Sequence, residues 1–357
     1  MLLLPSMLTS RDNVGDRALN VQRSAMIRIA HLSDPHVNQR FHPTHLGRLK
    51  KVLRHALEVE KVDHIALTGD VTSNADRRDL DACRKLFEEL GILRADMLSL
   101  VIGNHDIFGG PHLAEDLLAF PSRCSNRAYA THVREFYDTF AETFVGSDGP
   151  LKSPFPYAKV LGNVALIGLN SVAHHSSIKN PVGSNGAIAD AELKEFVEIL
   201  KTREIKEVDH RIVMLHHHLF RRKDEHDLHT PPDTNRIVER IEQATLKLRG
   251  KRKLLKILRE GDVNLVLHGH VHFTASYVRK GIECLNGGGA VYPVNSREEL
   301  KYNLITIEDD QLRYETVEVS GKKPLPKSSA TLDQSKHRNP VVNRVEVERK
   351  DFELVEA

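Results

Sequence analysis

Cysteine is scarce in this chain and never paired: Cys83, Cys124 and Cys284 are odd in number, widely spaced and free of any C-x-x-C motif. That argues against a disulfide framework and a thiolate metal site, and it is the usage expected of a reducing cytoplasm. Long apolar runs are missing too. The opening "MLLLP" breaks at Pro5, far short of a signal peptide's apolar core, and no later stretch approaches the about 20 apolar residues of a membrane span. Charge bias is also absent, since 51 Lys+Arg against 49 Asp+Glu leave a net charge of +2. Nothing here suggests the sustained basic surface of a nucleic-acid binder. No nucleic-acid or membrane partner is therefore indicated, and self-association is left open.

Histidine, by contrast, is plentiful, at 21 residues in 357. Such a count is usually scattered over the surface, so it matters only where the residues fall together.

The chain is long enough for one large domain or two modest ones. Residues 1–25 read as a flexible extension ahead of Met26, residues 26–320 as the folded domain, and 321–357 as a polar C-terminal segment. Within the domain, "MIRIAHLS", "VDHIALTGD" and "MLSLVIGNHD" read as buried strands. Between them lie two helical patterns. Leu46, Leu49, Leu53 and Leu57 recur at helical spacing over 44–60, and 79–91 ends on Gly91, where a C-terminal cap glycine belongs. This alternation predicts an α/β protein with a largely parallel sheet.

Further on, a hairpin is expected around Gly162-Asn163, a helix over 190–201, a strand over 210–218, and a helix, turn and strand leading to His272. Strands "KYNLITIE" and "QLRYETVEV" follow, and "RVEVERKDFELVE" has partial strand alternation. Two long polar insertions, 107–150 and 219–250, interrupt the rhythm; residues 321 to about 340 read as a Lys/Pro/Ser-rich linker.

The chemistry gathers where the strands end. In chain order they deliver Asp34-x-His36, Gly69-Asp70, Gly103-Asn104-His105-Asp106, His216-His217-His218 and His268-Gly269-His270-x-His272. Each motif alone is common. Five in succession at strand exits are not, because the carboxyl ends of parallel strands form the ligand-binding crevice of α/β sheets. Carboxylate, amide and imidazole suit Mn, Fe, Zn, Co or Ni. Seven such ligands exceed the needs of one ion, and an aspartate has two oxygens with which to bridge two.

This motif set resembles that of the calcineurin-like metallophosphoesterases, in their order, over roughly residues 27–307. The resemblance implies a two-sheet mixed β-sandwich flanked by helices. It also implies two metal ions (Mn, Fe or Zn), with Asp34, His36 and His272 on the first, Asn104, His216 and His270 on the second, and Asp70 bridging. Asn104 and His105 would meet the substrate, and His105 would be catalytic, stabilising charge or protonating the leaving oxygen. Asp106 would orient His105 or cap the next turn. His217 and His218 would stand outside the ligand set, as would His268.

Protein Ser/Thr phosphatases carry Asp-Arg shortly after the second motif and GNHE at the third, whereas here the chain reads "GDVTSNADRRDLD" and GNHD. It is more similar to the bacterial branch of cyclic-nucleotide and glycerophosphodiester phosphodiesterases. The implied activity is hydrolysis of small phosphodiesters by in-line attack of a metal-bound hydroxide. A phosphomonoesterase, a nucleotide or UDP-sugar-lipid pyrophosphatase, a nuclease and a non-catalytic metal-binding scaffold are the alternatives. Candidates for substrate contact are the insertions, Asn170, His174 and His175, and Arg221 and Arg222, which could pair with a phosphate, though each reads more readily as surface; Leu219 and Phe220 replace the family's usual His-Pro continuation.

Overall fold

The computed structural model describes residues 26–112, 114–144, 154–220, 246–272, 274–291, 300–308, 310–319 and 330–333. The expectations for the N-terminal extension, for Arg221 and Arg222, and for a strand over 344–356 lie outside these residues.

Two six-stranded mixed sheets form the body, in the orders β12-β11-β10-β1-β2-β3 and β4-β5-β6-β7-β9-β8. In the first, β1 (Ile27–Leu32), β2 (His64–Thr68) and β3 (Leu98–Val101) run parallel, and β10 (Lys301–Glu308), β11 (Gln311–Glu318) and β12 (Ala330–Asp333) add an antiparallel flank. In the second, β5 (Val164–Gly168), β6 (His210–Met214), β7 (Leu265–His268) and β9 (Ile282–Gly287) are parallel. Its edges are the antiparallel β4 (Tyr157–Leu161) and β8 (Thr274–Arg279). The sheet is therefore double and mixed, which the strand-helix rhythm alone did not reveal.

Period-2 alternation builds the layers. Val164, Leu166, Ile212, Met214, Leu265 and Leu267 share one core with the first sheet, while their neighbours Ala165, Ile167, Val213 and Val266 enter a second core. That second core is closed by α5 (Asp190–Lys201), α6 (Arg203–Glu207) and α7 (Lys251–Glu260), through residues such as Phe196, Ile205 and Leu258.

Helix α1 (His45–Arg54) continues as a π-helical turn through Val59. Helix α2 (Arg77–Glu89) starts on Asp76, whose Oδ1 accepts from Arg78 N at 2.9 Å, and is followed by Gly91 at φ +69°. The 107–150 insertion contains α3 (Ala114–Ser125) and α4 (Tyr129–Thr139). In the segment read as a linker, β12 instead pairs with β11. Such a short edge strand owes its place to backbone bonds with its neighbour, a signal that local composition does not carry.

Where the sheets' outer strands approach, side chains finish the job. β3 is outermost in its sheet, and its Leu98 and Leu100 carbonyls accept from Lys159 Nζ (2.5 Å) and Tyr157 Oη (2.8 Å) of β4.

Candidate metal centre

Every expected ligand stands just beyond a strand. Asp34 follows β1 by two residues, Asp70 follows β2 by two, Asn104 follows β3 by three, His216 follows β6 by two and His270 follows β7 by two. Pairing persists past the first two ends, with Asp34 N donating to Gly69 O at 3.2 Å and His36 N to Asp70 O at 3.0 Å. The backbone then bends sharply. Asp34, His36, Asp70 and His270 hold positive φ of 52°, 42°, 49° and 73°. For residues with a Cβ this costs on the order of 1 kcal/mol each, a strain that structures retain mainly where it aims a functional side chain.

The glycines of the motifs make room for this. A Cβ on Gly269 would collide with Ser33 Oγ and Asp34 Oδ2, and one on Gly103 with the Asp70 backbone.

The structure brings all seven expected ligands and His105 together. Asp34, His36 and His272 place ligand atoms within 4.8 Å of one another, as do Asp70, His216 and His270, and as do His36, Asp70 and His105. Asp70 joins the groups. Its Oδ2 lies 3.5 Å from His36 Nε2 and 3.3 Å from His216 Nε2, while its Oδ1 accepts from His105 N at 2.8 Å. Asn104 Oδ1 lies 3.0 Å from His216 Nε2. Only His272 is open, with a side chain 42% exposed, so the centre faces solvent on that side.

The convergence of ring nitrogens makes the residues fit a pair of cations. His36 Nε2 faces His272 Nε2 at 3.1 Å, and His216 Nε2 faces His270 Nδ1 at 3.1 Å, so nitrogens converge on the same two spots.

Charge follows the same geometry. Burial pushes the Asp34 carboxyl up to about 7, with Asp70 adding to the rise against the pull of His216. Burial pushes Asp70 upward as well, but His216, His105 and His36 around it prevail and hold it well below the usual carboxylate range. Burial also keeps His36 and His270 well below the ordinary imidazole value, hence neutral and able to ligate.

The residues around the centre fall into supporting roles. His216 Nδ1 donates to Thr68 O at 2.9 Å, which aims Nε2 inward, and His105 Nδ1 donates to Ser73 O at 3.1 Å. Asp106 does not orient His105. Its carboxylate accepts from Val71 N, Thr72 N, Thr72 Oγ1 and Gly103 N, so it clasps the exit of β2 to the exit of β3. His217 donates from Nε2 to Ser184 O at 3.2 Å, and Ser171 Oγ meets its Nδ1 at 2.9 Å. His268 Nε2 meets Tyr277 Oη at 2.7 Å.

Sequence reasoning missed His45, whose Nδ1 donates to Pro35 O (3.1 Å) and His36 O (3.0 Å) and pins the first ligand loop. A lone histidine opening a helix gave no sign of it. Asn170, a candidate for substrate contact, ties its loop to α4, with Oδ1 accepting from Val172 N and Nδ2 donating to Tyr129 Oη. His174 stacks on Tyr129 at 3.9 Å between centroids. Leu219 and Phe220 are buried, the latter stacked on Tyr277.

The sequence pattern of the family described as calcineurin-like phosphoesterase matches residues 27–273. A dimetal phosphatase from Danio rerio has the same fold with a TM-score of 0.54 at 13% identity, covering 87% of this chain and 99% of that one. A purple acid phosphatase from yellow lupin (Lupinus luteus) seeds gives 0.53 at 14% identity, covering 86% of this chain and 54% of the lupin protein, so the chain spans about half of that protein's length. GAP50 of Plasmodium, an anchor in the inner membrane complex, gives 0.50 at 12% identity over 88% of this chain and 90% of that one. At such identities the likeness is one of fold, and no curated protein matches the chain. Among the described residues, no helix is long and apolar enough to cross a membrane. With the family pattern running from β1 to just past His272, the chain belongs to the calcineurin-like phosphoesterases, a family of metal-dependent phosphoester hydrolases.

Proposed function

We propose that the protein is a two-metal phosphodiesterase acting on small diesters, of the cyclic-nucleotide or glycerophosphodiester type. The observation that carries the two-metal part is Asp70, whose single oxygen Oδ2 stands between His36 and His216. Asp34, His36 and His272 would hold one ion, and Asn104, His216 and His270 the other, with Asp70 shared. When bound, such a pair polarises the phosphoryl group and lowers the pKa of a bound water to about 7, which supplies a nucleophile at neutral pH.

The chain's own side chains do the rest. His105 has Nδ1–H committed to Ser73 O, so that the ring, when it carries a second proton, presents Nε2–H to stabilise the phosphoryl oxygens or to protonate the leaving group, returning to the neutral Nδ1–H form. Its ring stands against His36, 4.6 Å between centroids. Asn104 would hold its ion through Oδ1, which lies beside His216 Nε2, and offer an amide N–H to the substrate.

Preference for diesters rests on the sequence: GNHD stands where protein phosphatases have GNHE. The Asp76-Arg77 pair further along does not reach the centre, because Asp76 caps α2 and Arg77 pairs with Asp81 on the surface.

The test is hydrolysis of bis(p-nitrophenyl) phosphate against p-nitrophenyl phosphate by metal-stripped protein reloaded with Mn²⁺. Faster turnover of the diester is expected. Preference for the monoester would move the assignment to a phosphatase, and no turnover of either would leave a metal-binding scaffold.

A further inference from the structure

Just before the ligands, buried polar side chains lie where an apolar core would ordinarily stand, and one of them, Asn303, bonds directly across to the other sheet. His31 of β1 is paired in register with Asn303 of β10, and Asn303 with Thr316 of β11, so three polar residues stand side by side across the first sheet. His31, Thr68, Asn286 and Asn303 are all buried. Burying so many polar groups stabilises a fold only if each is satisfied, and these are.

The hydrogen bonds run in one sense. Thr316 Oγ1 donates to Asn303 Oδ1 at 3.1 Å, and Asn303 Nδ2 donates to Asn286 O in the other sheet (3.1 Å) and to His31 Nδ1 (3.3 Å). With Nδ1 accepting, the His31 proton sits on Nε2 and is donated to Thr68 Oγ1 at 3.0 Å; that hydroxyl donates in turn to Leu32 O at 3.3 Å.

Both ends of this chain of bonds reach the metal centre. Thr68 O accepts from His216 Nδ1 and from Ser33 Oγ, the residue before Asp34. Asn286 Nδ2 donates at 2.9 Å to Val271 O, the carbonyl between His270 and His272. The sheets come so close here that a Cβ on Gly287 would press on Ser33 and His31.

We propose that Asn303, held within its own sheet by His31, Thr68 and Thr316, is a positioning residue: its bond to Asn286 O sets the offset between the sheet that carries Asp34 and Asp70 and the sheet that carries His216, His270 and His272. Apolar packing would hold the sheets together without fixing that offset, whereas directed bonds fix it. This inference rests on the two-metal reading above.

The test is Mn²⁺ binding to the metal-stripped full chain, followed by titration calorimetry, with metal-free thermal unfolding recorded beside it. Asn303→Leu and Thr68→Val are expected to weaken binding by about 10–100-fold, the range for loss of partners that orient ligands, while Thr68→Ser stays within about threefold of the parent. Lys159→Met, which disturbs the other junction between the sheets, serves as control and should leave the affinity unchanged whatever it does to stability.

Parental affinity in folded Asn303→Leu and Thr68→Val would overturn the proposal, as would an equal loss in Lys159→Met. Should Asn303→Leu fail to fold, the Thr68→Val and Thr68→Ser pair decides alone. Absence of Mn²⁺ binding by the parent chain would remove the two-metal reading and the inference with it, an outcome distinct from the others.

Discussion

Asp70 does two things with its two oxygens. Oδ1 is spent on the His105 amide, and Oδ2 is the one atom that both imidazole groups face. Asp70→Ala is accordingly expected to lose both the metal pair and all measurable turnover, read from metal content and diester hydrolysis on the same sample. His105→Ala is a different kind of change. Its ring faces the centre without standing in either proposed ligand set, so turnover should fall by about 10²–10⁴-fold, the usual weight of a positioned proton donor, while metal content stays at the parental level. Loss of metal in that variant would make His105 a ligand. Gly269 offers a third residue-scale check. A methyl there has no space beside Ser33 and Asp34, so Gly269→Ala should cost both stability and metal affinity, measured by thermal unfolding and calorimetry.

At the scale of the elements, the site is a set of strand exits held in place by a few clasps. Asp106 is the strongest of them, since one buried carboxylate accepts from Val71, Thr72 and Gly103 and so ties two ligand-bearing loops together. Asp106→Ala leaves several buried donors unsatisfied and should destabilise the fold by about 3 kcal/mol or more, as measured by denaturant unfolding. The ligand loops themselves were legible in the sequence, because each is a break between an apolar, β-branched run and a polar residue type suited to metals. Their clasps were not. Asp106 meets its partners across more than thirty residues, from Val71 and Thr72 to its own position, and His45 reaches back to Pro35 and His36; no local pattern announces either bond. Edge strand β12 escaped notice for a related reason, since "ATLD" pairs through its backbone inside a segment of linker-like composition.

For the whole molecule, the question is how two mixed sheets are brought into one arrangement. The order of motifs along the chain was enough to identify the family, and through it the two-sheet fold, but local patterns read only the alternation within each half. The sheets share an apolar core, and at its margins buried polar groups bond to partners from distant strands. Lys159 is one such group. Burial pushes its ammonium down to about 7, against a modest opposing pull from Asp96. A lysine whose folded value lies below its unfolded one is penalised while charged: the penalty is complete below pH 7 and fades as pH rises toward the unfolded value of about 10.4. Raising the pH from 7 to 9.5 should therefore stabilise the parent relative to Lys159→Met, by at most about 1.4 kcal/mol per pH unit, read from paired denaturant titrations. An unchanged difference would mean that the ammonium is not desolvated by the fold.

The central claim is that Asp70, standing between the two groups of ligands, would be shared by two ions, and it is tested most directly by stoichiometry. Metal-stripped protein would be titrated with Mn²⁺ while bound metal and diester hydrolysis are followed together. The account predicts two ions per chain at saturation, with activity appearing only as the second is bound, and neither in Asp70→Ala. Full activity at one ion per chain, or a second ion bound equally well without Asp70, would contradict it.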